Sequence, residues 1–208
     1  RIAPRASRLM VASHLVRVPT LACGDCIAHW PAPLRLGLPE LLLLASIVLL
    51  LLALRRMLGS RVRARHIAWI SAGAVAAILL GLASGQAIAP QLATLLSVSL
   101  LAGLAVREIW RGIADRLSRA ITVCTALPFV ALCLLSLVQA GFVAAVPGWG
   151  ERLINSPLPG PWRAVLGLLL TVGISLSLIA LMIWRLVTRI EHLTHRDPLT
   201  GALNRRAF

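Results

Sequence analysis

The sequence predicts an all-α membrane protein, a five-helix polytopic transmembrane bundle whose last helix continues into a stalk. Three observations predict this fold. Apolar residues make up 59% of the 208-residue chain and charged residues only 13%, against about 45–50% and about 25% in soluble proteins. Long runs without any charge recur along the chain, and the positive charges, all of them Arg, cluster between these runs.

This composition excludes several classes of protein. A soluble globular enzyme, a disordered tail and a collagen-like chain would each contain far fewer apolar residues. The net charge of +14 does not indicate nucleic-acid binding either. A nucleic-acid binder carries its basic face on a polar domain, together with groups that read bases. We therefore expect the lipid bilayer, and no nucleic acid, as a partner.

The five spans follow from the roughly 20 apolar residues that a helix needs to cross a bilayer. The uncharged run 67–106 is too long for one crossing, and it breaks around residues 84–91. A signal peptide is the alternative for the first span, but Arg55 and Arg56 follow it as a stop-transfer flank would. Residues 36–184 thus form a transmembrane sensor or anchor region, with spans at 36–54, 67–85, 90–106, 120–146 and 164–184.

Details at the span ends refine these limits. Pro39 and Glu40 suit the first turn of a helix, so the first span is expected to start near Leu38. Gly81 and Gly85 have the G-x-x-x-G spacing that lets helices approach closely, and they predict packing of the second span against the third.

Arginine counts in the short loops predict the orientation of the bundle. Loops 55–66 and 107–119 and the segment after residue 184 are rich in Arg, and alternation of the spans allows all three on one side. The C-terminus is therefore expected in the cytoplasm and, with five spans, the N-terminus outside. The N-terminal segment 1–35, of uncertain structure, contains five Arg and does not fit this rule easily.

Apart from Glu40 at one edge, the predicted spans contain no ionisable residue. This absence argues against a coupled transporter, a pump or a haem sensor, because intramembrane charges mark such sites. The small polar residues are expected to form hydrogen bonds between helices. They are Gln91, Thr94, Ser97, Ser99, Thr122, Thr125, Ser136 and Gln139.

The four cysteines form two pairs. Cys23 and Cys26, followed by His29, could be a redox pair or part of a metal site, but one C-x-x-C without further ligands is weak evidence. Cys124 and Cys133 lie inside the fourth span, where a thiol behaves as a small apolar group.

A stalk helix, 185–196, is predicted to continue the fifth span. Apolar residues follow one another at steps of four and three, the a and d spacing of a parallel coiled coil. The alternative is an amphipathic helix that lies on anionic lipid. We call these residues the stalk seam: Ile179, Ile183, Leu186, Ile190 and Leu193.

The last 14 residues, H-R-D-P-L-T-G-A-L-N-R-R-A-F, resemble the opening of the GGDEF domain of bacterial diguanylate cyclases, which begins with D-x-L-T-G-L-x-N-R-R after a signalling helix. Ala202 stands where the family usually has Leu. The matching residues are Asp197, Leu199, Thr200, Gly201, Leu203, Asn204, Arg205 and Arg206.

This resemblance implies roles for the matched residues. Asp197 to Thr200 would form the turn that couples the stalk to the cyclase domain, and Asn204, Arg205 and Arg206 would begin its first helix. The catalytic G-G-[D/E]-E-F loop, the Mg²⁺ carboxylates and the guanine-binding residues come later in the family. Residues 197–208 would thus be the truncated start of an α/β domain, with no catalytic, cofactor or metal site in this chain.

The resemblance implies a function for the full-length protein. It would be a multi-pass protein of the bacterial inner membrane and a homodimer through the stalk. Its missing domains would use Mg²⁺ to condense two GTP into cyclic di-GMP. Three alternatives stay open: a degenerate GGDEF receptor, a GGDEF protein with a phosphodiesterase domain, and a small polytopic transporter or scaffold whose tail matches by chance.

Overall fold

The computed structural model describes residues 3–22, 30–59, 64–86, 88–114, 118–146, 148 and 159–194. These ranges contain helices and connecting turns and no β-strand, which confirms the predicted all-α class for the part described. In chain order the helices are α1 (Ala3–Ala22), α2 (Ala32–Leu58), α3 (Ala64–Ala83), α4 (Ile88–Ile113), α5 (Arg119–Ala145) and α6 (Pro159–Thr194).

The prediction of five spans is confirmed. Within the described ranges, five helices are long and apolar enough to cross a membrane, and the chain is therefore a multi-pass membrane protein. Their candidate membrane segments are Pro33–Leu58, Arg65–Ala83, Ile88–Ile113, Arg119–Ala145 and Val165–Thr188. Helix α1, which contains three of the arginines, is not among them.

Two helix ends lie beyond the predicted limits. Helix α2 begins at Ala32 and not near Leu38, because Pro33 occupies the first turn and Pro39 is accommodated inside the helix. Helix α4 continues to Ile113 and not to residue 106. The predicted loop 107–119 is therefore wrong over its first half. Charge ends an apolar run, but it does not end a helix.

Helix α4 lies at the centre of the bundle. It packs against α2, α3 and α5, while α6 packs against α5 and α2. More than half of the α4 membrane segment is buried inside the protein, a larger share than in any other span. The fully buried side chains of the core come from several helices and include Leu51, Leu54, Ile78, Leu101, Ile109, Phe129 and Leu178.

The turn between α3 and α4 corrects the reading of the G-x-x-x-G stretch. A Cβ atom on Gly81 would lie only 2.8 Å from Cβ of Ala89, so this glycine does allow close packing of the two helices. Gly85 has a φ of 70° and ends α3 instead of packing against α4. The amides of Gly85 and Gln86 donate to the carbonyls of Leu82 and Gly81, as in a Schellman motif.

The polar side chains of the spans correct another prediction. Most of the described hydroxyls bond to their own helix and not to a neighbour. Four of them donate to the carbonyl four residues back at 2.7–3.3 Å: Thr94, Ser97, Thr122 and Thr125. Ser99 does cross to α5, where its Oγ donates to the Cys133 carbonyl at 3.2 Å. Bonding within a helix satisfies a hydroxyl where no water is present.

We predict that Gly81→Ala destabilises the bundle by about 1–3 kcal/mol, because the new methyl group overlaps Ala89 and the Pro90 ring. Gly73→Ala is the matched control in the same helix, since a Cβ there meets nothing within 4 Å. The control should be neutral or slightly stabilising. Thermal unfolding in detergent, followed by circular dichroism, measures both variants. Equal midpoints for the two would contradict the close approach.

Candidate functional site

A hydrogen bond between two helices and two buried or partly buried charged side chains lie where the bundle meets the stalk. We call this region the junction and define it by three segments: Arg55–Gly59 of α2, Glu108–Ile113 of α4 and Trp184–Thr188 of α6. Arg185 is the first residue of the predicted stalk, so the junction contains the root of the stalk.

Arg185 connects the stalk root directly to the end of α2. Its Nη1 donates to the backbone carbonyl of Arg56 at 3.1 Å. This carbonyl belongs to the last turn of α2, where carbonyl groups have no partner within the helix. A cation at this position also stabilises the negative end of the helix dipole. Arg185 is therefore a side-chain cap that α6 supplies to α2.

Gly59 makes room for this cap. It has a φ of 64°, in the left-handed region that glycine adopts without strain, and its amide donates to the Arg55 carbonyl. A Cβ atom at Gly59 would lie 3.1 Å from Nη2 of Arg185. The absence of a side chain at Gly59 thus allows the guanidinium to approach the helix end.

Helix α4 packs against the same end of α2. A Cβ atom on Gly112 would lie 3.4 Å from Cδ2 of Leu58, so the two helices are in contact at this level. Around them Leu54, Met57 and Ile109 are almost fully buried. The junction is therefore a packed apolar core with charged groups on its border.

Glu108 is the residue that the sequence analysis missed. The prediction that Glu40 is the only ionisable residue of the spans is wrong, because α4 continues past residue 106 and Glu108 is only 3% exposed. In the ranges that the structure describes, Glu108 is the one charged side chain in the buried class. A helical repeat that continues through Ala105, Ile109 and Ile113 is the signal that could have located it.

Arg55 lies at the same level as Glu108. One turn before the contact between Leu58 and Gly112, α2 contains Arg55 and α4 contains Glu108. The Nε atom of Arg55 is buried and has no hydrogen-bond partner among the described residues. The junction therefore combines a buried acid and a partly buried cation on neighbouring helices.

Most residues of the stalk seam lie on the exposed face of α6. Ile179, Ile183, Leu186 and Ile190 are each 44–59% exposed. Ile174, Leu178 and Leu181, on the other face, are buried against the bundle. Leu193 belongs to α6, but its side chain is outside the described set. One face of α6 thus faces the protein, and the seam faces away from it.

Other predicted sites lie outside the described residues. They include Cys23, Cys26 and His29, and the whole of 197–208 with Asp197 to Gly201 and Asn204 to Arg206. Cys124 and Cys133 are free thiols. In the described ranges no group of three or more His, Cys, Asp or Glu could hold a metal ion.

We predict that Arg185→Ala frays the end of α2. Loss of the cap should cost about 1 kcal/mol, which corresponds to roughly fivefold faster amide hydrogen exchange at the last turn of α2. Arg111→Ala is the matched control, because Arg111 is an exposed arginine in the last turn of α4. Hydrogen–deuterium exchange with mass spectrometry measures both. Unchanged exchange in Arg185→Ala would rule out the capping role.

The chain as a whole matches no protein-family model, no curated protein and no solved structure. A function for the junction is therefore inferred from its own residues and from the short C-terminal resemblance.

Proposed function

We propose that this chain is the membrane sensory and anchoring region of a bacterial diguanylate cyclase. The proposal rests on the position of one segment in the sequence. The segment that resembles the start of a GGDEF domain, Asp197 to Phe208, follows three residues after the end of a continuous helix, α6. A signalling helix that leaves a membrane bundle and leads into this turn is the arrangement that the family uses.

The length of α6 supports this proposal. Its 36 residues correspond to about 54 Å at 1.5 Å per residue, while the hydrocarbon core of a bilayer is about 30 Å thick. About 24 Å of α6 therefore lies outside a core of that thickness, divided between its two ends. The membrane segment ends at Thr188, so residues 189–194, about 9 Å of helix, lead from it toward the segment 197–208.

The exposed seam supports a dimeric stalk. In the family each cyclase domain binds one GTP, and the 3′-hydroxyl of one GTP attacks the α-phosphate of the other, with pyrophosphate as the leaving group. Mg²⁺ in the missing domain would stabilise the developing charge. Two domains must therefore face each other, and a parallel pair of α6 helices would impose that encounter. The chain itself contains no G-G-x-E-F sequence and is not catalytic on this proposal.

The junction supplies a route for regulation. Arg185 joins the stalk root to α2, and Glu108 is buried beside the same helix end. A stimulus that shifts α2 or α4 would rotate or displace α6 through these contacts. The arginine-rich loops at this end favour the cytoplasmic side of a bacterial inner membrane for the stalk.

One alternative shares these observations. A degenerate GGDEF receptor, or a protein with an added phosphodiesterase domain, would have the same bundle and stalk and would differ only downstream. The buried acid Glu108 weakens the argument against a transporter. It lies near one end of α4, however, whereas substrate sites of secondary transporters lie near the midplane.

The test is to continue the reading frame beyond Phe208 and to assay the full-length protein for conversion of GTP to cyclic di-GMP. An intact G-G-[D/E]-E-F motif with product formation would support the proposal. A frame without the motif, or a full-length protein that binds GTP without product, would overturn it in favour of the receptor or the scaffold.

We predict that Ile190→Asp and Leu193→Asp in the full-length protein each lower dimerisation and cyclase activity at least about tenfold. A buried charge in the seam would cost more than the roughly 1.4 kcal/mol that a factor of ten requires. His192→Asp, off the seam, is the control and should retain activity. Cross-linking and product formation measure these effects. Full activity in both seam variants would refute the coiled-coil stalk.

A further inference from the structure

Helix α1 packs along the bundle as an additional helix. Its 20 residues correspond to a length of about 30 Å, and it packs extensively against α2. Ala6 and Ser13 are each only 1% exposed, and Met10 packs against the core. The predicted segment 1–35 of uncertain structure thus contains a well-packed helix, although its arginines keep it out of the five apolar spans.

A hydrogen bond places α1 at mid-depth in the bundle. Nε2 of His14 lies 3.1 Å from Oγ of Ser175. Ser175 is close to the middle of the α6 membrane segment, Val165–Thr188. Its single hydroxyl hydrogen is used on the Thr171 carbonyl at 2.7 Å, so the imidazole is the donor in this pair. Helix α1 therefore reaches the centre of the membrane segment and not only its rim.

The short connection between α1 and α2 determines the direction of α1. Arg185 bonds to the Arg56 carbonyl, and α2 and α6 run in the same direction as the first and fifth spans. Ser175 is ten residues before Arg185, so it lies level with a position about ten residues before Arg56, near Ser46. The connection joins Ala22, the last residue of α1, to Ala32, the first residue of α2. Along α1, Ala22 is about 12 Å from His14; along α2, Ala32 is about 21 Å from Ser46.

If α1 ran parallel to α2, these two helix ends would be about 33 Å apart along the bundle axis. The ten Cα–Cα steps from Ala22 to Ala32 can cover at most about 33–36 Å, which leaves almost nothing for the sideways separation of the helices. An antiparallel α1 brings the same ends within about 9 Å of each other along the axis. The antiparallel arrangement is therefore strongly favoured.

We propose that α1 crosses the membrane as a sixth helix, antiparallel to α2, and that its N-terminal end lies on the same face as the junction. His14, bonded to Ser175, is then an ionisable residue in the membrane interior, where such groups are rare and usually functional. This inference replaces the expected outside position of the N-terminus, and it does not depend on the proposed function.

Two of the three arginines of α1 agree with this direction, whereas Arg17 lies about 4.5 Å from His14 toward the opposite end of the helix. Arg5 and Arg8 are exposed and lie about 14 Å and 9 Å from His14 along the helix, toward the end that contains the junction. Long arginine side chains at such depths extend to the interface. Arg5 and Arg8 then join the arginine-rich face of the bundle, which reduces the conflict with the positive-inside rule.

The absence of lysine from the chain allows a direct test. Single lysines are introduced by Arg5→Lys, before the proposed crossing, and by Trp30→Lys, after it. Arg111→Lys marks the junction face and Gln86→Lys, in the turn between α3 and α4, marks the opposite face; all four positions are exposed. Sealed vesicles of each orientation are treated with a membrane-impermeant amine reagent, and the unsubstituted chain gives the background from the terminal amine.

We expect Arg5→Lys to be labelled from the same side as Arg111→Lys, and Trp30→Lys from the same side as Gln86→Lys. Labelling of Arg5→Lys and Trp30→Lys from one and the same side would show that no crossing lies between them and would overturn the proposal. Labelling of Arg5→Lys from the side of Gln86→Lys would overturn it equally, because α1 would then have the opposite direction.

Discussion

The bilayer interior contains no water for a peptide group to bond with, and this constraint accounts for most of the structure. Each crossing is a continuous helix, because a helix satisfies its own backbone. Where a helix ends, its last carbonyls find defined partners: the amides of Gly85 and Gln86 at the end of α3, and the amide of Gly59 with the Arg185 guanidinium at the end of α2. The hydroxyls inside the spans are likewise satisfied by protein groups, since most of them donate to a carbonyl of their own helix.

The five apolar crossings could be predicted from sequence, because they depend on the length of uncharged runs. The helix ends could not be predicted in the same way. Glu108 interrupts the apolar run, yet α4 passes it and buries it, since the cost of a buried acid depends on neighbours from other helices. Helix α1 was missed because its arginines hide the apolar face that packs on α2.

The contacts of the candidate site were even less accessible from sequence. The bond from Arg185 to Arg56 joins residues 129 positions apart, and it depends on the rotation of α6 about its own axis. Apolar spacing on α6 indicates which residues share a face, but it does not say which face meets the bundle. Similarly, nothing in the sequence pairs His14 with Ser175, because each helix contains several polar residues and the sequence does not show which of them meet.

The junction and α1 contact the same output helix at two different depths. Arg185 holds α6 at its exit from the bundle, and His14 holds it near the middle of its membrane segment. Two contacts at different depths restrict the tilt of α6 relative to the bundle. The geometry of the stalk thus depends on α1 and α2 together, which themselves form one packed pair.

The hydroxyls that bond within their own helices have a mechanical consequence. Thr94, Ser97, Thr122 and Thr125 remain satisfied when α4 and α5 slide past each other, because none of their described bonds has to break. Resistance to such sliding comes from side-chain packing and from single hydrogen bonds between the helices, such as the bond from Ser99 to the Cys133 carbonyl. The interface between α4 and α5 therefore resists sliding mainly through side-chain packing, and not through a series of hydrogen bonds between the two helices.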